Sequence, residues 1–263
     1  ATLSTSAIVY IPKGSLKTMV INGGASIGSS AFKDCTGLTS VTIGSSVTSI
    51  GDSAFKDCTG LTSVTIPDSV TSVGEDAFRR CTGLTSVTVG SGVKSIGYCA
   101  FYGCTGLTAV HITDLAAWCG IAFGALVDTN PLYYAKHLYL NNVEIEDLVI
   151  PSSVTSIGEL AFYNCTGLTS ITIPDSVTSI GAYAFSYCTG LTSVMIGNGV
   201  TSIGNYAFRD CTGLTSVTIP DGVTGIGEDA FRNCTGLTSV TIGSGVKSIG
   251  SYAFYGCGKL VEI

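Results

Sequence analysis

Residues 61–83 read LTSVTIPDSVTSVGEDAFRRCTG, and close copies of this string return along the chain at an interval of 23 residues. Leu61, Val64 and Ile66 are spaced as the buried face of a strand, and branched side chains suit a pleat. Thr65, lying between two of them, points the other way. Pro67 has no N–H to give a ladder and ends the strand. Asp68 and Ser69 make a turn, after which Val70 and Val73 bring apolar atoms back from a second side. Gly74 follows, at a position that only Gly fills, which predicts positive φ or a close backbone approach. The segment Glu75 to Arg79 is too short for a free helix and predicts one helical or 3-10 turn held by packing. Ala77, Phe78 and Cys81 face inward, and Thr82-Gly83 closes the coil.

A fixed interval of this size means one unit stacked on the next, with a core that exists only between neighbours. Cysteines mark the stacking at 35, 58, 81 and 104, then at 165, 188, 211, 234 and 257. Nine of the ten Phe residues hold one coil position, and Gly28, Gly51, Gly74, Gly97, Gly158, Gly181, Gly204, Gly227 and Gly250 hold another. The expected fold is an α/β repeat solenoid, mainly β. It is a right-handed coil with one parallel sheet, short helical or 3-10 turns on the other side, and a local β-hairpin insert. A single solenoid over 1–263 is expected: an N-terminal cap and irregular first coil at 1–37, regular repeats at 38–112, the insert at 113–144, and regular repeats at 145–263. Ala7 to Ile11 should supply a capping strand, and Leu260 to Ile263 a last strand with nothing covering it.

Charged residues make up only 11% of the chain and the net charge is −6, so polarity must come largely from Thr, Ser and Asn. An acidic chain without a basic stripe excludes nucleic acid, whose binding rests on phosphate contacts. The longest apolar stretch, Leu115 to Val127, is too short to span a bilayer and contains Gly120 and Gly124. Eleven cysteines could suggest a disulfide scaffold, but nine sit in one file beside equally regular Phe and Leu. They are read as buried free thiols packing as small hydrophobes. Whether Cys99 and Cys119, outside the file, are bonded to each other is left open. No metal is expected, because no C-x-x-C pair occurs. The outer face of the strands repeats Thr and Ser, which β propensity and solubility explain.

The period breaks between Cys104 and Cys165, an interval of 61 residues. Asp114 is placed to cap a helix over Leu115 to Ile121, and Gly124 to Pro131 reads as loop. Leu138-Tyr139-Leu140, Asn141-Asn142 and Val143-Glu144-Ile145 predict a hairpin, since Asn tolerates positive φ.

Catalytic chemistry is sought without result. Gly24-Ala25-Ser26-Ile27-Gly28 matches a nucleophile elbow by letter, but it is the local copy of Ser49-Ile50-Gly51 and lacks the following helix. Only His111 and His137 could serve as an imidazole base, and neither has an acid and a nucleophile beside it. The chain is therefore expected not to be an enzyme, with no catalytic residues and no cofactor. Recurrent Asp68, Asp175 and Asp221 are read as turn residues. The variable positions carry the better functional signal: Tyr98, Tyr102, Tyr183, Tyr187, Tyr206, Tyr252 and Tyr255 cluster after the ladder Gly and around the Phe. Tyr suits binding surfaces, offering apolar area and a hydroxyl together. These seven are the candidate partner-binding residues. The competing reading makes them a solvated cover over the Phe file.

The unit C-T-G-L-T-S-V-T-I-P-D-S-V-T-S-I-G-E-D-A-F-R-N resembles the leucine-rich repeat of BspA-like (Treponema-type) bacterial surface proteins, and residues 16–263 fit it. The insert, through Trp118, Asn130-Pro131-Leu132 and His137 to Leu140, resembles an irregular unit of the same family. The resemblance implies a secreted or cell-surface protein that binds host or neighbouring-cell protein or glycan without catalysis. The alternative is a structural spacer or self-association segment of a longer surface array, for which a homodimer through the terminal coils is the expected partner.

Overall fold

The structure is a computed structural model that describes residues 14–262. The capping strand expected at Ala7 to Ile11 therefore lies outside the described residues. The chain divides into two compact units, Ala1–Val143 and Glu144–Ile263.

In the first unit the sequence motif S-V-T-I becomes a strand in each coil: Ser40–Ile43, Ser63–Ile66, Ser86–Val89 and, with altered letters, Ala109–Ile112. Each pairs in parallel with its neighbour, Ser63 with Ser86 and Val64 with Val87, a shift of one repeat. The first strand, Thr18–Ile21, pairs Thr18 with Ser40, so that coil is one residue short, as its sequence predicts. The second unit repeats the arrangement with Asp147–Val149, Ser170–Ile173 and Ser193–Ile196 in one sheet, and Ser216–Ile219 beside Ser239–Ile242 in another. Both units are parallel-stranded solenoids.

Two features depart from expectation. First, each unit has a second, narrow parallel sheet of two-residue strands, such as Ser49–Ile50, Ser72–Val73 and Ser95–Ile96, where only a returning chain was predicted. Second, among the described residues no helix forms over Glu75 to Arg79 or its copies; a run of hydrogen-bonded turns takes its place. The reason is where the N–H groups go. Ala54, Lys56 and Cys58 donate to Gly51, Ser53 and Phe55 within their own coil, whereas Ser53, Phe55 and Asp57 donate to Glu75, Ala77 and Arg79 of the next. A helix would keep every N–H inside its own coil, and here half of them join coils instead. The alternation needs left-handed backbone twice per coil, two and six residues after the ladder Gly, as at Ser53 (φ 56°) and Asp57 (φ 60°).

The ladder Gly is therefore not the positive-φ position. It is the place of close backbone approach. A Cβ built on Gly97 would lie 2.7 Å from Glu75 N and 2.7 Å from Gly74 C, both backbone atoms of the coil below. The strand after Cys257 also differs: among the described residues Glu262 makes an isolated bridge to Ser239, and Ile263 lies outside them.

The core is a set of files. Phe32, Phe55, Phe78 and Phe101 stack with ring centroids 5.3 Å apart, and Phe162 through Phe254 stack at 5.2–5.3 Å. Beside them each thiol has a partner: Cys58, Cys81 and Cys104 donate to the carbonyls of Phe32, Phe55 and Phe78 at 3.1 Å, and the second unit repeats this. All eleven cysteines are free, Cys99 and Cys119 included. Burial pushes the thiols of Cys58 and Cys104 up to about 12, so thiolate is scarce at neutral pH. Iodoacetamide at about pH 8 should then modify at most the half-buried Cys257 in the native chain and all cysteines after unfolding. Mass spectrometry reads the count, and rapid native labelling of Cys81 or Cys211 would contradict a closed file.

Polar side chains also run between coils. Thr39, Thr62, Thr85 and Thr108 each donate a hydroxyl to a carbonyl of the preceding coil at 2.9–3.2 Å. Asp68, Asp175 and Asp221 each accept the N–H of Ser91, Asn198 or Ser244 at 2.7 Å, so they tie a turn to the turn above it.

The insert follows its prediction in part. Asp114 caps a helix over Leu115–Cys119 by accepting from Ala117 N at 3.0 Å. Asn141 and Asn142 (φ 51° and 65°) join Leu138–Leu140 to Val143–Glu144, and a two-residue connection makes these neighbours antiparallel. The stretch read as loop contains a 3-10 turn, Val127–Thr129, and leads into an unforeseen helix, Leu132–Ala135. These pieces cap the coil beneath. Thr129 Oγ1 accepts Cys99 N–H at 3.3 Å and Tyr134 Oη accepts Gly103 N–H at 2.8 Å, standing where a further coil would supply carbonyls.

Candidate functional site

The turn run fixes where the candidate tyrosines sit. The position two residues after the ladder Gly holds Tyr183, Tyr206 and Tyr252, and the position six after it holds Tyr187. These are the left-handed positions, and the four have φ of 56°, 60°, 58° and 62°. Tyr98 lies one residue after Gly97. Tyr102 and Tyr255 lie five after theirs, in ordinary backbone.

The seven do not form one strip. In the second unit Tyr183 and Tyr206 stack at 4.5 Å and 5°, and Tyr163, which is buried, packs on Tyr183 at 6.5 Å and on Tyr187 at 5.5 Å. Burial raises the phenols of Tyr183 and Tyr187 above the ordinary range. In this group the rings pack tyrosine on tyrosine. The exposed members are Tyr98 (44%) and Tyr102 (40%) in the first unit and Tyr252 (62%) and Tyr255 (58%) in the second. Tyr252 meets Tyr255 edge to face at 5.7 Å.

The residues that hold these rings were not singled out in the sequence. Arg79 lies over the ring of Tyr102 at 4.9 Å, Arg232 over Tyr255 at 5.2 Å and Arg209 over Tyr206 at 5.6 Å. Each arginine has a carboxylate: Arg79 pairs with Asp76 at 3.2 Å, Arg232 with Asp229 at 3.0 Å and Arg209 with Asp210 at 3.0 Å. Lys56 reaches Asp76 from the coil below at 2.7 Å. Burial works to raise Asp76, but hydrogen bonds from Lys56 and Arg79 outweigh it and hold the carboxyl below its ordinary value. Aligning the second and fifth positions after each Gly would have shown this pattern in the sequence.

Elsewhere the chemistry is sparse. His111 stacks on Tyr139 at 4.9 Å on the outer face of the long sheet. Among the described residues no group of three His, Cys, Asp or Glu could hold a metal, and no helix is long and apolar enough to cross a membrane.

Comparison with known proteins agrees with this architecture. A family model described as BspA type leucine rich repeat region, in six copies, matches residues 10–123 and 135–261. A leucine rich cell surface protein from Faecalibacterium prausnitzii is 28% identical, with 93% of this chain and 78% of that one covered and a TM-score of 0.52. The leucine rich repeat protein of T. pallidum is 30% identical over 76% of this chain and 78% of that one, with a TM-score of 0.43. The pneumococcal vaccine antigen PcpA, 18% identical over 94% of this chain and 68% of that one with a TM-score of 0.56, is alike in fold alone. No curated protein matches. The chain, by its repeat and by the coils that repeat builds, belongs to the BspA-type leucine-rich repeat family.

Proposed function

We propose that the protein is a non-catalytic binding or adhesion module of the cell surface or extracellular space, engaging protein or glycan through the exposed tyrosines of its turn flank. One observation carries this reading. Tyr183, Tyr187, Tyr206 and Tyr252 occupy left-handed backbone, where an L side chain costs about 1–2 kcal/mol and Gly or Asn much less. Other coils place Asn164, Asn233, Gly103 and Gly256 at the position of Tyr187, and Ser30, Ser53, Asp76, Cys99, Leu160 and Asp229 at the position of Tyr183, Tyr206 and Tyr252. For the packed tyrosines, ring stacking offsets the cost. Tyr252 is largely exposed and gains little from packing, so a surface use accounts for it better than stability does. The cell-surface description of the F. prausnitzii relative supports the location.

The test separates binding from folding. Tyr252→Asn should leave thermal stability unchanged or raise it by up to about 1 kcal/mol. Binding to immobilised extracellular-matrix proteins or mucin glycans, read by biolayer interferometry, should fall at least about tenfold. Binding that survives Tyr252→Asn and Tyr98→Ser undiminished, or no binding to either class, would sink the reading.

A further inference from the structure

The cysteine file is closed to solvent along both units except at Cys257. Ten of the eleven thiols are buried, and Cys257 is half-buried. Its coil is the least covered of the second unit: Phe254 and Leu260 are half-buried where Phe231 and Leu237 are wholly buried, and Val261 is 88% exposed. Cys234, one repeat earlier, is wholly buried.

The two thiols lie one coil step apart and point the same way. Cys234 Sγ donates to Phe208 O and Cys257 Sγ to Phe231 O, both at 3.2 Å. The rings of Phe231 and Phe254, three residues before them, stack at 5.3 Å. That step lies within the Cα separation of about 4.4–6.8 Å that a disulfide spans. The Cβ atoms must also come to about 3.8 Å, so one coil has to close on the other by roughly 1 Å. Inner coils are held against such a shift by hydrogen bonds and stacked rings on both sides. Among the described residues the coil of Cys257 is held on one side, by bonds such as Asn233 N–H to Tyr255 O at 2.7 Å.

The acid–base setting selects the same two residues. A hydrogen bond from the Cys234 thiol holds Cys257 below the ordinary thiol range, against the effect of burial. The same contact, with burial, raises Cys234, and burial raises Cys188 and Cys211. A thiolate that solvent reaches, with a second thiol against it, is the arrangement in which an oxidised sulfur is resolved as a disulfide.

We infer that Cys257 is an oxidant-reactive thiol and Cys234 its resolving partner, so that peroxide converts them into a disulfide clasp tying the coil of Cys257 to the coil before it. The Cys257 thiolate attacks one oxygen of hydrogen peroxide. The O–O bond breaks, the sulfur becomes a sulfenic acid, and the departing hydroxide takes a proton from solvent. Cys234 then attacks the sulfenic sulfur, and the S–O bond breaks. That hydroxide leaves as water with the Cys234 proton. Two thiols lose two electrons and the peroxide gains them. The resulting bond closes an interval of 23 residues and restrains local opening of the least covered coil.

The native full chain, reduced and freed of reductant, would be treated with a small excess of hydrogen peroxide, unfolded in iodoacetamide and digested with trypsin. Peptides 233–247 and 248–259 should appear joined through Cys234 and Cys257 with the loss of two hydrogens, the other nine cysteines being alkylated. Thermolysin cleavage within the coil of Cys257 should slow at least about fivefold and recover with dithiothreitol. Cys257→Ser should abolish the cross-link and leave Cys234 unoxidised. Cys234→Ala should leave a sulfenic acid on Cys257 that dimedone traps. No cross-link in the native chain, a bond between the Cys257 residues of two chains, or oxidation beginning at an inner cysteine would overturn the assignment. A cross-link that leaves thermolysin cleavage unchanged would overturn the clasp.

Discussion

Phe208→Ala should destabilise the second unit by about 3–5 kcal/mol, read as a shift of the denaturant midpoint at unchanged slope. Phe208 is wholly buried and lies between Phe185 and Phe231, each 5.2 Å away. Truncation leaves a cavity that neither neighbour can fill, because each is held by its own coil and by the hydrogen bonds between coils. The loss also reaches beyond one residue. In a solenoid each repeat is stabilised by the interfaces on its two sides, and this substitution weakens both. Phe254 has a ring neighbour on one side at 5.3 Å and is only partly buried, so Phe254→Ala should cost about 1–2 kcal/mol. Equal effects at the two positions would show that the ring file is not the stabilising element.

The ladder glycines give the second large effect, and its sign comes from geometry alone. Gly97→Ala places a methyl group 2.7 Å from Glu75 N and 3.0 Å from Gly74 O, and the atoms in the way are backbone. The coils must separate locally, breaking bonds such as Gly97 N–H to Val73 O at 2.8 Å, at a cost of about 1–3 kcal/mol. Gly28 occupies the same repeat position, but a Cβ there meets nothing within 4 Å among the atoms described. Gly28→Ala should be neutral or stabilise by a few tenths of a kcal/mol, since alanine lowers the entropy of the unfolded chain. Thermal melts of the two variants side by side decide the matter, and a Gly97→Ala variant as stable as the parent would refute close backbone approach as the reason for the glycine.

Much of this protein was legible because a coil position is a statement about environment. Leu61, Val64, Ile66, Phe78 and Cys81 recur buried in most coils, with partial exposure at Val194, Ile242 and the last coil's Phe254, Cys257 and Leu260, and the pairing shift of one repeat follows from the spacing of the cysteines. Asp114 and the Asn141-Asn142 pair were readable for the same local reason, as a cap and a turn whose chemistry is carried by the residues themselves. The turn run after each glycine was not. Its residues look like a helical turn because both structures use bonds three or four residues apart within the coil, and the N–H groups that instead cross to the next coil leave no mark on composition. The helix over Leu132–Ala135 was missed for a related reason: four residues form it because Leu132 and Ala135 are buried, not because their propensity demands it.

The candidate surface divides in the same way. Sequence alone determined the fold and the flank on which the tyrosines lie, because periodicity assigns each residue a side of the coil. Only the tertiary structure decided which tyrosines pack together and which stand free, and which arginine holds which ring. Apart from Arg209 on Tyr206 and Tyr252 on Tyr255, which lie three residues apart in one coil, those contacts join residues about one repeat apart, so each depends on which side chain the neighbouring coil presents there. A period repeats the backbone and leaves that choice to be made coil by coil.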